Sequence, residues 1–351
     1  MNELYNLKET DVFQSMPLEE KISYFSKVAK KALPFWGCDQ NTEIKLLNYT
    51  ENATFKVCPE KQNAFIMRIH RAFYTNENSI NSEFDWLASI RDDGIHVPTP
   101  IESINHKLVE KIAMPEYGDS RYVDCEIFEP GKAPIDIPEI EKFEQLGEII
   151  AKVHLNAEKY EKPAYYERLI WEADQTFSKI NNYHFEVYRE NEVFTKVDIK
   201  ILDLAAEKIK NRLALYGKDK HNYGLIHSDF RFSNILLNQG EFTILDFDDF
   251  GDGWYMYDIA SVMALNEDRD DVDEIIETVL KGYQKYRKLN RDDLDMLKTF
   301  QMFRRMGMIS VGMFFVKNAV LGAGENIENN SEQWKHYYKN TVEAAHRYLV
   351  A

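Results

Sequence analysis

The stretch GLIHSDFRFSNILLNQGEFTILDFDDFGDGWYMYDIA, Gly224 to Ala260, most constrains what this chain can fold into. It sets six aspartates and two asparagines among apolar runs such as Ile235-Leu236-Leu237. Carboxylates threaded through apolar sequence cannot all face water, and an unpaired buried carboxylate is costly. The fold must give each of them a partner, either from the chain itself or from a bound ligand.

The spacing says which chemistry those partners serve. Asp229 and Asn234 stand as D-x-x-x-x-N, with His227 two residues before the aspartate. Asp246 follows the β-prone run 242–245, twelve residues beyond Asn234. Aspartate, asparagine and aspartate at loop and strand ends form a hard oxygen set of the kind magnesium prefers, alongside waters and substrate phosphates. An aspartate just outside such a set can accept a proton from an attacking hydroxyl. Phosphoryl transfer needs those parts and little covalent chemistry besides.

The rest of the chain divides in two. Residues 17–33 carry apolar side chains at helical spacing, behind Pro17 and with Glu19 and Glu20 in the first turn. Short β-prone runs follow at 43–49, 53–57, 64–69, 108–112 and 122–128. One helical pattern, 78–91, interrupts them and stops at Asp93-Gly94. Glu129-Pro130-Gly131 is a turn signal. Beyond it long helical patterns prevail at 140–160, 197–216, 272–288, 292–316 and 331–349. The expectation is an α+β chain of two lobes. Residues 1–127 form a small antiparallel-sheet lobe with a leading helix and one internal helix. Residues 128–351 form a larger helical lobe, and the cleft between lobes is a favoured place for a ligand.

The motif H-x-D-x-x-x-x-N, followed by a strand ending in D-F, resembles the catalytic loop and metal aspartate of the protein-kinase-like fold. The wording HSDFRFSNILL…ILDFDDFGDGWYMYDIA is most similar to the aminoglycoside phosphotransferase and choline kinase family, near the small-molecule kinases grouped with type II homoserine kinase. The lobe order extends the resemblance over most of the chain. It implies that Asp229 is the catalytic base and that Asn234 and Asp246 bind Mg2+, with Asp248 as a second possible metal ligand. Arg231 would meet the transferred phosphate. His227 and Asp258 would brace the catalytic loop. Upstream, Arg68 would grip the phosphates of ATP or GTP, oriented by Glu83. Arginine suits that task through its bidentate fork. The nucleotide-covering hairpin, NYTENATFKV, contains no glycine. Backbone amides near Glu51, Asn52 and Ala53 would meet phosphates, and the connector Glu126-Ile127-Phe128-Glu129 would offer backbone groups to the purine.

The resemblance implies transfer of the nucleotide's γ-phosphate to the hydroxyl of a small molecule. Asp249, Asp252, Trp254 and Tyr255 follow the metal loop closely and are expected to line the acceptor's entrance. Acids with aromatics suit an ammonium group, as in amino alcohols, hydroxy-amino acids, choline or aminoglycosides. An equal reading of these four is a helix-entry loop whose acids cap or solvate. Residues 267–271 read as a solvated loop; Arg304 and Arg305 could meet a substrate carboxylate, but they read first as helix-surface salt-bridge formers. No long activation segment separates Asp246 from Tyr257-Asp258, which argues against a protein substrate. Two alternatives stay open: a metal-dependent phosphohydrolase using the same aspartates, and a kinase-like binding module without catalysis.

Composition narrows the classes further. Hydrophobic residues make up 44% of 351 residues, enough for a sizeable core. A formal charge of -16 speaks against a nucleic-acid partner. Cys38, Cys58 and Cys125 are few and scattered, which fits a reducing compartment and no disulfide framework. The start MNELYNLKETD has no secretory pattern. The greasiest run, 306–316, is shorter than the ~20 apolar residues of a spanning helix. A cytoplasmic protein without a membrane partner is expected. EF-hand, Rossmann and P-loop patterns all fail. In the DFDDFG run, Phe250 and Tyr257 occupy EF-hand ligand positions, and Met256 stands where a third Rossmann glycine belongs. No G-x-x-x-x-G-K-[ST], HExxH or GxSxG occurs.

Overall fold

The computed structural model describes residues 16–49, 52–72, 74–132, 141–176, 188–189, 191–318 and 327–351. Strands β1 (Glu43–Tyr49), β2 (Ala53–Cys58), β3 (Phe65–Ile69), β4 (Val109–Met114) and β5 (Asp119–Ile127) pair antiparallel in the order β1-β2-β3-β5-β4. Helix α1 (Leu18–Ala32) covers one face. Its Tyr24, Phe25, Val28 and Ala29 share a core with Phe55, Met67, Ile69, Val123 and Cys125. Full burial of one side chain such as Phe25 is worth about 1.5–3 kcal/mol.

Strand alternation then decides what the other face carries. Phe65, Met67 and Ile69 point into the α1 core, so Arg68 between them points away. On β5, Val123 and Cys125 point into that core, and Asp124 and Glu126 share the face of Arg68. The register sets Arg68 directly opposite Asp124. Helix α2 (Glu77–Asp92) starts at Asn76, whose side chain accepts the Ser79 N–H at 2.9 Å. It buries Ile80, Phe84, Leu87 and Ile90 in the larger core that continues into the second lobe.

That lobe is built on α3 (Glu141–Lys159), α4 (Lys196–Tyr216), α5 (Tyr255–Ser261), α6 (Val272–Tyr283), α7 (Arg291–Asn318) and α8 (Ile327–Val350). A capping box at Thr195 and Asp198 starts α4. Helices α3 and α6 pack backbone to backbone. A Cβ on Gly147 would lie 2.0 Å from the Val279 carbonyl, and one on Gly282 would lie 1.8 Å from that of Glu144. Short strands β6 (Leu169–Ile170), β7 (Tyr223–Ile226) and β10 (Gly251–Trp254) form one small sheet, and β8 (Ile235–Asn238) with β9 (Glu241–Ile244) forms a hairpin. Among the described residues, no helix is long and apolar enough to cross a membrane. Two expectations reach beyond the described residues: the phosphate-facing amide of Glu51 and the start of the helix expected at 140.

Candidate active site

The β8–β9 hairpin brings the motif residues together. Ile235 pairs with Ile244, and the Leu245 N–H donates to the Asn234 carbonyl at 2.8 Å. Asn234 therefore ends the loop that leaves β7 at the point where Asp246 begins the next one. Asp246 is exposed and takes a left-handed conformation, φ 62. Ser228, one residue before Asp229, does so too, φ 70. Such conformations cost about 1–3 kcal/mol each and persist where surrounding contacts over-determine them.

Those contacts come from α5. The Asp258 carboxylate accepts the His227 N–H at 2.9 Å and the Ser228 N–H at 2.6 Å. Ser261 Oγ accepts the Phe230 N–H at 3.0 Å. His154 Nε2 on α3 makes a third contact to Asp258, at 3.0 Å. Burial pushes Asp258 up to about 7 against the donors at His227 and Ser228. Burial also lowers His227, so the ring is neutral. His227 Nε2 meets the Leu245 carbonyl at 2.9 Å, and Nδ1 accepts the Asp229 N–H at 3.1 Å. His227 and Asp258 thus sit behind the loop and hold its backbone.

Asp229 is buried, and its carboxylate is fully engaged. Asn234 Nδ2 donates to Oδ2 at 2.6 Å, and Arg231 Nε donates to the same oxygen at 2.9 Å. Arg304, on α7, donates through Nη2 to Oδ1. Burial alone would raise this carboxyl, but Arg231 and Arg304 outweigh it and hold it at about 2. The reading of Arg304 as a helix-surface residue is corrected here: it is 5% exposed and paired with Asp229. Arg305 is equally buried and bound by Asp268, whose neighbour Glu267 takes the Tyr337 hydroxyl at 2.8 Å. Residues 267–268 are therefore tied to α7 and α8 rather than merely solvated.

Across the cleft, Arg68 is the centre of a buried charge cluster. Its Nε and Nη2 reach Asp124 at 2.9 and 3.0 Å, and Nη2 also reaches Glu83 at 2.9 Å and Glu126 at 3.2 Å. The Nη1 edge has no hydrogen bond among the described residues. His70 Nε2 binds Asp124 at 2.6 Å. Burial opposes charge on His70, yet Asp124 and Asp248 raise it to about 9. Burial pushes Glu126 up to about 8, with Arg68 opposing. Sequence reading paired Arg68 with Glu83 but missed Asp124 and His70. Period-2 alternation on β5 was the available signal for Asp124.

The connector differs from expectation in part. Glu126 turns its side chain to Arg68, and the Ile127 N–H is taken by the Thr99 carbonyl at 2.9 Å. Phe128 packs under Lys56, whose Nζ lies 3.8 Å from the ring centroid. Asn52 also differs. Its Nδ2 donates to Asp248 Oδ2 at 3.2 Å, and its Oδ1 accepts the Arg71 N–H at 3.1 Å, so the hairpin tip is fastened to the metal loop.

Asp248 is buried and faces His70 Nδ1 at 3.6 Å and Arg71 Nη2 at 3.8 Å. It therefore points at cationic groups of the first lobe, which does not suit the second metal ligand expected of it. Asn234 and exposed Asp246 keep the hard-oxygen chemistry that fits a divalent cation. Arg168, which sequence reading also missed, straps the same loop. It donates to the carbonyls of Phe247 at 2.9 Å and Phe250 at 3.0 Å, and to that of Asp248. Its Nη1 reaches Ser79 Oγ on α2 at 3.0 Å.

The four expected acceptor residues separate. Asp249 stays at the cleft, held by the Tyr74 hydroxyl and 3.6 Å from Arg71 Nη2. Asp252 lies on β10, bound by Lys162 at 2.6 and 2.8 Å. Trp254 and Tyr255 are corrected from an entrance to the core, each 3% exposed. Trp254 Nε1 donates to the Gly217 carbonyl at 2.8 Å, and Tyr255 lies 4.5 Å, centroid to centroid, from His154. The physical reason is the central position of β10 between β6 and β7. A Cβ at Gly251 would stand 2.2 Å from the Leu169 carbonyl, so the strand is pressed inward just after the metal loop.

Residues 44–295 match the family model named APH, the phosphotransferase enzyme family. The amicoumacin kinase of Bacillus subtilis (strain 168) is 24% identical over 303 residues, 82% of this chain and 84% of its own. Among solved structures, the microcompartment-associated aminopropanol kinase superposes with a TM-score of 0.80 at 27% identity, covering 92% of this chain and 97% of that one. The amicoumacin kinase hAmiN, in complex with AMP-PNP, Ca2+ and Ami, gives 0.74 at 22% identity over 93% and 96% of the two chains. A choline kinase from Cryptosporidium parvum Iowa II shares the fold, with a TM-score of 0.57 at 13% identity, covering 93% of this chain and 97% of that one. Because the family model spans well over half of the chain, this protein belongs to the phosphotransferase enzyme family, and it is an enzyme with the two-lobed, protein-kinase-like fold.

Proposed function

We propose that the protein transfers the γ-phosphoryl group of ATP to a hydroxyl of a small amino-bearing alcohol, with Mg2+ as the metal. The observation that carries this reading is the seating of Asp229, Asn234 and exposed Asp246 at the adjoining ends of one loop and one hairpin. A divalent cation on Asn234 and Asp246 would supply neutralisation of phosphate charge. Arg68, fixed by Glu83 and Asp124, keeps its Nη1 edge for nucleotide phosphates in this reading. The lobe boundary is taken at 127/128, and the location as cytoplasmic.

Asp229 orients the acceptor hydroxyl and takes its proton. A carboxyl held at about 2 binds a proton weakly. It suits a late transfer, when the oxygen is already bonding to phosphorus and its proton has become acidic. Support for an amino alcohol comes from the likeness to the aminopropanol kinase, from the acidic chain, and from Asp249 at the cleft. The test is a coupled ADP-release assay with Mg-ATP over 1-amino-2-propanol, ethanolamine, choline, hydroxy-amino acids, aminoglycosides and amicoumacin. Turnover with an amino-bearing acceptor supports the reading. Steady phosphate release without any acceptor supports a phosphohydrolase, and no nucleotide binding at all a non-catalytic module.

A further inference from the structure

We propose that Arg304 is a catalytic residue: it holds Asp229 before the reaction and contacts the phosphoryl group as it arrives at the acceptor. The inference rests on the phosphotransfer reading above. Two guanidiniums, Arg231 and Arg304, meet the single carboxylate of Asp229, one at each oxygen. One cation would neutralise that carboxylate. Asp249 adds to the field on Arg304 but is itself engaged by Tyr74 and Arg71.

The guanidinium also has donor capacity that Asp229 does not use. Arg304 Nε is buried without a hydrogen-bond partner. The Tyr257 hydroxyl stands against the Arg304 guanidinium, whose carbon lies 6.0 Å from the ring centroid, and interacts with it. Buried polar groups are nearly always satisfied, so the Arg304 Nε–H, short of a full hydrogen bond beside a reacting carboxylate, leaves a donor for an acceptor that arrives with the substrate. An incoming phosphoryl oxygen has the right charge, and the step creates the need for it. The acceptor oxygen bonds to the γ-phosphorus, the bond from phosphorus to the β-γ bridging oxygen breaks, and ADP leaves with that electron pair. The hydroxyl proton passes to Asp229. The phosphoryl charge thereby moves away from Arg68 and toward Asp229, where repulsion would oppose it without a surplus of cations. Arg304 supplies part of that surplus from the rigid helix α7.

The test compares Arg304→Gln, Arg304→Lys and Tyr257→Phe with the wild type, using the acceptor that the wild type phosphorylates best. Arg304→Gln should lower kcat by ~10²–10³-fold, as loss of one transition-state donor does, and leave the KM for ATP within twofold. Arg304→Lys should recover about tenfold of the loss, since it restores charge but not the fork. The decisive readout is calorimetric. Affinity for Mg-ADP alone should be unchanged in Arg304→Gln. Affinity for Mg-ADP with aluminium fluoride and acceptor should fall by a factor comparable to the loss in kcat. If Arg304→Gln does not fold, Arg304→Lys and Tyr257→Phe carry the comparison, each with a smaller loss on the aluminium fluoride complex. An unchanged aluminium fluoride complex in every folded variant, or unchanged kcat, overturns the role of Arg304 alone. A wild type that phosphorylates no acceptor overturns the proposed function and this inference with it.

Discussion

Removing Arg68 should cost folding stability as well as nucleotide affinity. In Arg68→Met the methylene stem is kept and the cation is lost. Asp124 then keeps only His70, and Glu83 only the more distant Arg168 at 3.9 Å. Breaking a buried ion pair by removing one partner costs about 3–5 kcal/mol, because the other charge stays buried without compensation. Total stability is about 5–15 kcal/mol for a typical domain, so the loss is a large share. For a chain of this size it lowers Tm by roughly 4–7 °C. Urea denaturation of wild type, Arg68→Met, Asp124→Asn and the double variant measures it without nucleotide. The double variant should be less destabilised than the sum of the singles, since removing both partners leaves less uncompensated charge. A loss below about 1 kcal/mol for Arg68→Met, or strict additivity, would refute the buried-cluster account.

Asp258 offers a pH test. Its folded value is about 7, raised from 3.8, so its stabilising contribution is complete below about pH 4 and is lost as pH rises through about 7. Asp258→Asn should flatten the fall of unfolding free energy across that window, read by urea titrations at several pH values; an unchanged slope contradicts the assignment. Arg168→Gln removes charged hydrogen bonds to three carbonyls of the metal loop, each worth about 1.5–3 kcal/mol. It should raise the KM for Mg-nucleotide more than that for acceptor, and steady-state kinetics with an equal rise in both would count against the strap.

What was legible in the sequence was local. The catalytic loop fits within a few residues of spacing, and strand alternation with helical periodicity marked both lobes to within about two residues at most ends. What was not legible was pairing over distance. Arg304 reaches Asp229 across 75 residues, and Arg168 reaches Phe247 across 79. Neither shows in a local pattern, because an arginine reads the same in sequence whether it faces water or a buried acceptor. Trp254 and Tyr255 misled for the opposite reason. They stand close to Asp246 in sequence, but β10 carries Trp254 into the core and Tyr255 opens α5 there. Asp248 shares that lesson: two residues past Asp246, it turns to the first lobe.

The measurement nearest the central claim is single-turnover phosphoryl transfer by Asp229→Asn beside nucleotide calorimetry. The asparagine oxygen can still accept from Arg304, so the loop keeps its seat while the base is lost. The account predicts a rate lower by ~10²–10⁴-fold, with Mg-nucleotide affinity within about threefold of wild type, a difference below 1.4 kcal/mol. Transfer at the wild-type rate in a folded Asp229→Asn protein would contradict it.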